Sequence, residues 1–474
     1  MSQNNSGCKD DTGKMTRRNF VGYMGMASSA AILSAIMGCN AFEKTGDSGK
    51  ASGSAANRPN IIFILSDDLG WADVSYHGSS IPTPNIDRLA REGVDLSRHY
   101  VAPVCSPTRA GLLTGRCWSR FGITVPSSRQ CLPDRTPTIA SQLKEAGYRT
   151  ALIGKWHLGG AEMTNKRPGS FGFDYTYGSL DGAVHPYTHV YTPGGKEGDD
   201  GQGIKTWHRN GKIIEEKGHT TDLIANEAIR FVENSQNAPF FLYLPFTAPH
   251  GKCIDTQEWM DKCAHIPEER RSYAAMVAHM DDAIGKLVAT LDRLGLRENT
   301  LIVFSSDNGG VAQGLNTPLR KKKAYVYEGG VRAVAFANWP GKLKPSTLQQ
   351  PICITDWMPT FCALAGANSP ANVDGKNIWT ELTHPSAPVK PRPIYLLGVG
   401  GRSSALIMGE WKLVHSEGGA ELYNVVQDPS ETKDLASAYP DRVKELEQLL
   451  SEAARNDKDS VAPELAAPSK PEIS

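Results

Sequence analysis

Four short apolar runs, each followed directly by polar residues, constrain the fold of this chain more than any other feature. The runs lie at 60–65, 148–153, 240–244 and 300–305. Continuous apolar runs of this length are typical of parallel strands buried on both faces. Predicted helices alternate with them, at 84–93, 108–113, 136–146, 220–234 and 271–294. This alternation predicts an α/β fold with a large doubly wound, mostly parallel sheet flanked by helices.

The polar residues that follow these strands form a recurrent pattern. They are Asp67 and Asp68, then Lys155 and His157, then His250, and finally Asp307 and Asn308. Ligands in doubly wound folds bind beyond the carboxyl ends of the strands. The sequence therefore predicts one shared site built from four strand ends.

The acidic members of this pattern indicate a metal site. Asp67, Asp68, Asp307 and Asn308 offer three carboxylates and an amide, which suit Ca²⁺, or alternatively Mg²⁺, better than Zn²⁺. Taken alone, Asp67 and Asp68 are also typical of a loop cap, and Asp307 and Asn308 of a turn.

A cysteine stands before a predicted helix in the stretch 104–116. Pro107 suits the first helical turn, and Arg109 follows one turn after Cys105. The positive end of the helix dipole would stabilise an anion or an oxyanion at Cys105. A buried structural thiol is the other interpretation of such a cysteine.

Two stretches carry a resemblance to a known family. Cys105-Ser106-Pro107-Thr108-Arg109, continued by Ala-Gly-Leu-Leu-Thr-Gly-Arg, resembles the signature of the type I sulfatases, which are formylglycine-dependent members of the alkaline-phosphatase superfamily. Residues 147–159 resemble their second signature. The resemblance extends over 60–452 and looks closest to the arylsulfatase B (N-acetylgalactosamine-4-sulfatase) type and to bacterial polysaccharide sulfatases.

The resemblance implies roles for individual residues. Cys105 would be oxidised to formylglycine and complete a Ca²⁺ site formed by Asp67, Asp68, Asp307 and Asn308. The implied catalytic residues are Cys105, Arg109, Lys155, His157, His250, Asp307 and Lys323, and Lys323 stands in a basic run whose neighbours leave a one-residue register error open. Predicted sugar contacts are Asp181, His185, His189 and Arg320.

The implied activity is hydrolysis of sulfate esters on a sulfated carbohydrate, with 4-sulfated galactose or N-acetylgalactosamine favoured. Two alternatives are a phosphodiesterase or phosphonate hydrolase of the same superfamily, and a non-catalytic lipoprotein that binds sulfated glycans. The formal net charge is zero, which gives no reason to expect nucleic acid as a partner.

The N-terminal residues resemble an export signal. Residues 1–39 combine a twin-arginine start at Arg17 and Arg18 with a short apolar stretch that ends at Cys39, a candidate lipidation site. A plain signal peptide is the alternative. Residues 40–57 are predicted to form a flexible tether. We expect the twin-arginine machinery and a formylglycine-generating enzyme as partners, contact with the membrane through a lipid anchor only, and a location in the periplasm or cell envelope.

The rest of the chain divides by pattern into a catalytic domain at 58–390, an α+β subdomain at 391–455 and a disordered tail at 456–474. The subdomain is predicted as a small antiparallel sheet with one helix. Residues 160–216 are predicted as a long irregular insertion, and 331–337 as a strand. Six cysteines outside the leader and the candidate site allow fifteen disulfide connectivities: Cys117, Cys131, Cys253, Cys263, Cys353 and Cys362. Cys253 with Cys263 could close a short loop, and free buried thiols are an equal alternative for Cys353 and Cys362.

Overall fold

A computed structural model describes residues 58–127, 129–192, 203–388 and 390–458. The predicted export signal with Cys39, the tether at 40–57 and the tail from 459 onward lie outside the described residues. Within the described residues, no helix has the length and apolar character needed to cross a membrane.

The predicted fold class is confirmed by a ten-stranded mixed sheet in the order β14-β2-β13-β11-β1-β10-β4-β5-β8-β9. Its five central strands, β11, β1, β10, β4 and β5, run parallel. The sheet strands are β1 Asn60–Ser66, β2 Val94–Leu96, β4 Arg149–Ile153, β5 Tyr175–Ser179, β8 Trp207–Arg209, β9 Lys212–Ile213, β10 Phe240–Pro245, β11 Thr300–Ser306, β13 Ala335–Asn338 and β14 Ser346–Leu348. The remaining strands before residue 390 are β3 His99–Tyr100, β6 Val190–Tyr191, β7 Ile204–Lys205, β12 Arg332–Ala333 and β15 Ile352–Cys353.

Helices cover both faces of the sheet, as its buried strands require. They are α1 Pro84–Arg91, α2 Cys105–Thr114, α3 Ile139–Glu145, α4 Thr220–Glu233, α5 Gln257–Lys262, α6 Glu268–Arg293, α7 Glu328–Val331, α8 Trp357–Ala365, α9 Trp379–Thr383 and α10 Pro440–Ala454. Alternate residues of β1 enter two hydrophobic clusters. Phe63 packs on the side of α2 and α8, whereas Ile62 packs on the side of α4 and α6.

Three local predictions need correction. The helix predicted from 136 begins at Ile139, because Thr138 and Ser141 form a capping box that defines its N-terminus. Residues 331–337 are not one strand, since Arg332 pairs with Tyr100 in a separate three-stranded sheet while Ala335 pairs with Ser305. Residues 160–216 are not wholly irregular, since β5, β8 and β9 extend the main sheet.

The C-terminal segment forms the predicted antiparallel sheet and helix. Its strands are β16 Pro393–Leu397, β17 Ser404–Met408, β18 Trp411–Ser416 and β19 Gly419–Asn424, and α10 packs on them. Apolar residues of this sheet and of the α2 side of the main sheet belong to the same hydrophobic cluster. The start of the predicted tail is ordered, because the Asp457 carboxylate accepts hydrogen bonds from Arg120 and Tyr395.

No disulfide joins the seven cysteines that lie within the described residues. Cys253 and Cys263, the pair that could close a short loop, are not bridged to each other. The structure therefore shows none of the possible disulfide connectivities among these described cysteines.

Candidate active site

Four strands of the parallel sheet deliver polar side chains to one edge. Asp67 and Asp68 follow β1, Lys155 and His157 follow β4, His250 follows β10, and Asp307 and Asn308 follow β11. Backbone hydrogen bonds between neighbouring loops, from Asp67 to Ala248 and from Asp307 to Ser66, are both 3.0 Å long. The structure therefore brings together the four strand ends that the sequence singled out.

Two of these residues have unusual backbone conformations. Asp68 and His157 have φ values of 67° and 55°, in the left-handed region that only a few per cent of residues other than glycine adopt. Such strain persists only where the surrounding structure over-determines it, and it concentrates at functional sites. Both side chains contact other residues of the site, Asp68 the ammonium of Lys323 and His157 the Sγ of Cys105.

Cys105 is the first residue of α2 and is completely buried. Its Sγ lies 3.3 Å from Nδ1 of His157. The Thr108 hydroxyl donates to the backbone oxygen of Asp307 at 2.6 Å and so ties the helix to the end of β11. Burial raises the pKa of the Cys105 thiol, although the nearby lysines oppose this effect. The helix thus presents position 105 to the strand ends as predicted, but with a thiol that stays protonated.

Arg109 links two sides of the site rather than pointing at Cys105 alone. Its Nη2 lies 2.7 Å from Oδ2 of Asp307, and its Nη1 donates to the backbone oxygen of Lys155 at 3.0 Å. The side chain is fully buried, so both contacts are shielded from water.

Two oxygen atoms at the site have no hydrogen-bond partner among the described residues. Oδ1 of Asp67 and Oδ1 of Asn308 are buried and accept no hydrogen bond from the described residues. Ligand atoms of Asp67, Cys105 and Asp307 lie within 4.8 Å of one another. Because leaving buried lone pairs unpaired is costly, this set of hard oxygen donors fits a divalent cation such as Ca²⁺ or Mg²⁺.

The carboxylates have strongly perturbed acidities. Burial alone would raise the pKa of Asp67, yet the nearby cations, Lys155 foremost, hold it well below its usual range. Burial and the negative charge of Asp67 raise the pKa of Asp307 to about 7. A bound divalent cation would favour the ionised form of all three carboxylates.

Two ammonium groups and one imidazole surround the carboxylates. Nζ of Lys155 contacts Oδ2 of Asp67, and Nζ of Lys323 lies 2.7 Å from Oδ1 of Asp68. His250 approaches Oδ2 of Asp68 to 3.4 Å through Nε2, and burial lowers its pKa to about 4. Lys323 is thus a member of the basic run that reaches the carboxylates, and two ammonium groups converge at the strand ends.

The side chains of the four predicted sugar contacts have partners within the fold. Asp181 is buried and accepts from the Thr206 hydroxyl at 2.7 Å, and His189 stacks on Trp207. His185 accepts the backbone N–H groups of its own turn. These partners are internal because the 181–192 loop must satisfy its own polar groups where it packs on the sheet.

Arg320, the fourth predicted sugar contact, packs against the C-terminal sheet. Its guanidinium lies over the ring of Tyr327 with 4.2 Å to the centroid, and its Nη1 donates to the Tyr423 hydroxyl at 2.7 Å. This guanidinium is therefore used within the fold.

Gly182 is a site residue that the sequence did not reveal. A Cβ at this position would stand 2.8 Å from Nε2 of His157. Its neighbour Asp181 anchors the loop, and His157 N donates to the backbone oxygen of Leu180 at 3.1 Å. No local pattern marks this glycine, since the contact that requires it comes from another strand end.

A second cluster of titratable groups lies among α4, α6 and the loop after β10. His279 contacts Asp255 through Nδ1 and Asp222 through Nε2, each at 3.1 Å. Burial would lower its pKa, but these hydrogen bonds raise it to about 9. His219 fills both ring nitrogens with backbone partners, Thr221 N and Ile254 O. Because each ring nitrogen already has a partner, this cluster is a buried ion pair around a protonated imidazole.

Comparisons with known proteins give matches over most of this chain. The sulfatase family model matches residues 59–367. Mouse (Mus musculus) arylsulfatase J is 32% identical in an alignment that covers 85% of this chain and 77% of the relative. Mouse N-acetylgalactosamine-6-sulfatase is 31% identical, with 77% of this chain and 73% of the relative covered.

Solved structures show the same similarity. The crystal structure of Ps i-CgsB in complex with k-i-k-neocarrahexaose superposes with a TM-score of 0.79 at 34% sequence identity. The superposition covers 85% of this chain and 94% of that chain.

Proposed function

This chain belongs to the sulfatase family and is a sulfuric ester hydrolase, and we propose that it removes sulfate from a galactose-type sugar of a sulfated polysaccharide. We further propose that Cys105 is converted to formylglycine and that Asp67, Asp68, Asp307 and Asn308 hold Ca²⁺. The position of Cys105 carries this proposal: its Sγ stands beside Nδ1 of His157 and close to carboxylate oxygens of Asp67 and Asp307.

Formylglycine and Ca²⁺ have separate tasks in this proposal. Formylglycine as its hydrate would supply a hydroxyl nucleophile in place of a thiol, and Ca²⁺ would supply positive charge beside the sulfate.

The side chains of this chain then divide the remaining work. Lys155 and Lys323 bind the sulfate oxygens and neutralise the charge that moves towards the leaving oxygen. His250 has a side chain that is 21% exposed, so it reaches the mouth of the site and donates a proton to the departing sugar oxygen. A bound sulfate ester raises the pKa of His250 and favours the protonated ring. His157 accepts a proton at Nδ1 from the group at position 105.

The relatives support a sulfated sugar as the substrate, and a galactose-type sugar is our proposal. Arylsulfatases and an N-acetylgalactosamine-6-sulfatase are similar over most of this chain, and Ps i-CgsB binds a neocarrahexaose. We propose 4-sulfated galactose or N-acetylgalactosamine as the substrate, with the 6-sulfated sugar as the competing specificity.

Sulfate release from defined glycans tests this function. The enzyme is co-expressed with a formylglycine-generating partner, and its substrates are galactosamine 4-sulfate, galactosamine 6-sulfate, chondroitin and carrageenan oligosaccharides. Release from a 4-sulfated sugar is the expected result. A phosphodiester and the Cys105→Ala variant serve as controls, and faster turnover of the phosphodiester would contradict the proposal.

Mass spectrometry of the peptide that contains position 105 separates catalysis from simple glycan binding. We expect the mass of formylglycine in active preparations. Unmodified cysteine in protein from the native host would favour a non-catalytic glycan-binding protein.

Export remains a proposal that rests on residues 1–39. Replacing Arg17 and Arg18 by lysine should block twin-arginine export, and Cys39→Ala should release the protein from the membrane fraction. Cell fractionation of these variants measures both effects, and unchanged distribution would contradict the proposal.

A further inference from the structure

A buried lysine from the C-terminal sheet joins two glutamates of different elements. Lys412, on β18, is completely buried, and its Nζ lies 2.9 Å from both Oε1 of Glu328 and Oε1 of Glu431. The other carboxylate oxygen of Glu431 accepts the backbone N–H of Glu328 at 2.7 Å. The Tyr100 hydroxyl donates to Glu328 at 3.1 Å. Lys412 therefore closes a charge cluster around the first residue of α7.

The turn α7 packs directly on the segment that carries Lys323. A Cβ on Gly329 would stand 2.3 Å from the backbone oxygen of Lys321, and one on Gly330 would stand 2.1 Å from that of Tyr325. Gly329 N donates to the backbone oxygen of Arg320 at 2.8 Å. No side chain separates the two backbones, so a shift of α7 moves the Lys323 segment with it.

The same turn also supports the end of β11. Gly309, which follows Asn308, donates its N–H to the backbone oxygen of Gly330 at 3.0 Å. A Cβ on Gly309 would stand 1.8 Å from the backbone oxygen of Gly329. The Glu328 turn thus lies between the Lys323 segment and the predicted metal ligand Asn308.

Arg320 adds a second contact between the C-terminal sheet and the segment that carries Lys323. It lies over Tyr327 and bonds Tyr423 on β19, as described above, and its Nη1 also donates to the backbone oxygen of Glu431 at 3.2 Å. A residue that the sequence suggested as a sugar contact is thereby part of the connection between the C-terminal sheet and the active-site loop.

We propose that Lys412 is a positioning residue for sulfate binding, because through Glu328 it holds the Lys323 ammonium beside Asp68. This inference rests on the proposed function and deepens it by giving the C-terminal sheet a part in binding. A buried ion cluster is weak evidence for stability by itself, since desolvation offsets the attraction between the charges. Its rigid geometry, in contrast, specifies where the α7 turn stands.

Inhibition by inorganic sulfate measures this role directly. In Lys412→Met, we expect the inhibition constant of sulfate and the KM for a sulfated glycan to rise about tenfold, while kcat changes less, as for lost ground-state binding. Lys412→Arg keeps a cation between both glutamates and should restore sulfate inhibition to within about threefold of the wild type. Formylglycine content is measured in every variant, so that incomplete maturation is not mistaken for weak binding.

Leu413→Ala is the matched control for lost stability. Leu413 is also fully buried on β18 but belongs to the hydrophobic cluster. We expect a lower melting temperature with unchanged sulfate inhibition. An equal rise of the inhibition constant in Leu413→Ala would show a merely structural effect and overturn the proposal.

Two isosteric variants serve if Lys412→Met does not fold. Glu328→Gln and Glu431→Gln each remove one of the two carboxylates that face Lys412, but only Glu328 belongs to the α7 turn. We expect weaker sulfate inhibition in Glu328→Gln and a smaller change in Glu431→Gln, and equal effects would overturn the proposal. If the wild type releases sulfate from glycans but Lys412→Met is inhibited by sulfate as strongly as the wild type, the role of Lys412 is overturned and the proposed function is not. Wild-type enzyme that neither binds nor releases sulfate overturns the proposed function as well.

Discussion

Nη2 of Arg109 lies 2.7 Å from Oδ2 of Asp307, while Nη1 of the same guanidinium binds the backbone oxygen of Lys155 at 3.0 Å. One side chain from α2 therefore spans the ends of β11 and β4. The guanidinium positions a predicted metal ligand and a predicted sulfate-binding residue together, through contacts that are buried.

Arg109→Lys should lower kcat/KM by about 100-fold, because one ammonium cannot reproduce both contacts and small displacements of reacting groups are costly. Steady-state hydrolysis of a sulfate ester measures the loss. Arg116→Lys is the control, since Arg116 follows the helix and lies over the Phe121 ring. Activity within threefold of the wild type in Arg109→Lys would contradict the positioning role.

Asn308→Ala should weaken divalent metal binding by at least about tenfold, a loss typical of altered metal shells. The unpartnered Oδ1 of Asn308 is the reason, since it is the amide oxygen available to a cation. Calorimetric titration of chelator-treated protein with Ca²⁺ measures the affinity. The exposed Asn234→Ala variant should bind like the wild type. Equal Ca²⁺ affinity in Asn308→Ala would exclude this amide as a ligand.

Gly182→Ala should reduce kcat by about 100-fold with little change in melting temperature, because the new methyl group displaces the His157 ring from Cys105. Gly169→Ala is the matched control, since a Cβ at position 169 meets no atom within 4 Å. Normal turnover in Gly182→Ala would show that the His157 ring has room to move without loss.

His279→Gln should destabilise the fold in a pH-dependent manner. The pKa of His279 rises from 6.5 to about 9 in the folded protein, so its ion pairs with Asp222 and Asp255 stabilise fully below about pH 6.5 and lose this effect as the pH rises through 9. Each pKa unit corresponds to about 1.4 kcal/mol, so we expect a loss of up to about 3 kcal/mol near pH 6 that shrinks above pH 9.

Denaturant unfolding between pH 6 and pH 10 measures this difference. The titratable and charged groups that face His279 are Asp222, Asp255, His219 and Lys286. Burial lowers the pKa of His219, and the charge of Lys286 acts on Asp222. His265→Gln changes an exposed histidine and is the control. A destabilisation of His279→Gln that does not vary with pH would show that His279 acts by packing on Trp259 and not by its charge.

Much of the fold and of the site could be predicted from local sequence. The apolar runs ending before Asp67, Lys155, His250 and Asp307 identify buried parallel strands, because a strand covered on both faces must be apolar throughout. Parallel strands end at the same edge of a sheet, so the position of each polar residue along its own strand was sufficient to predict that they meet. The stretch around Cys105 carries the family resemblance because its residues are contiguous in the sequence.

Tertiary structure alone decided the roles of residues whose partners are distant in the sequence. Asp181 and His189 have the composition of sugar contacts, but packing of their loop turns them towards Thr206 and Trp207. Gly182 matters because of the His157 ring, and Lys412 because of Glu328, 84 residues away. Local patterns report the periodicity and chemistry of neighbouring residues, whereas burial and pairing of charges depend on which elements the folded chain places side by side.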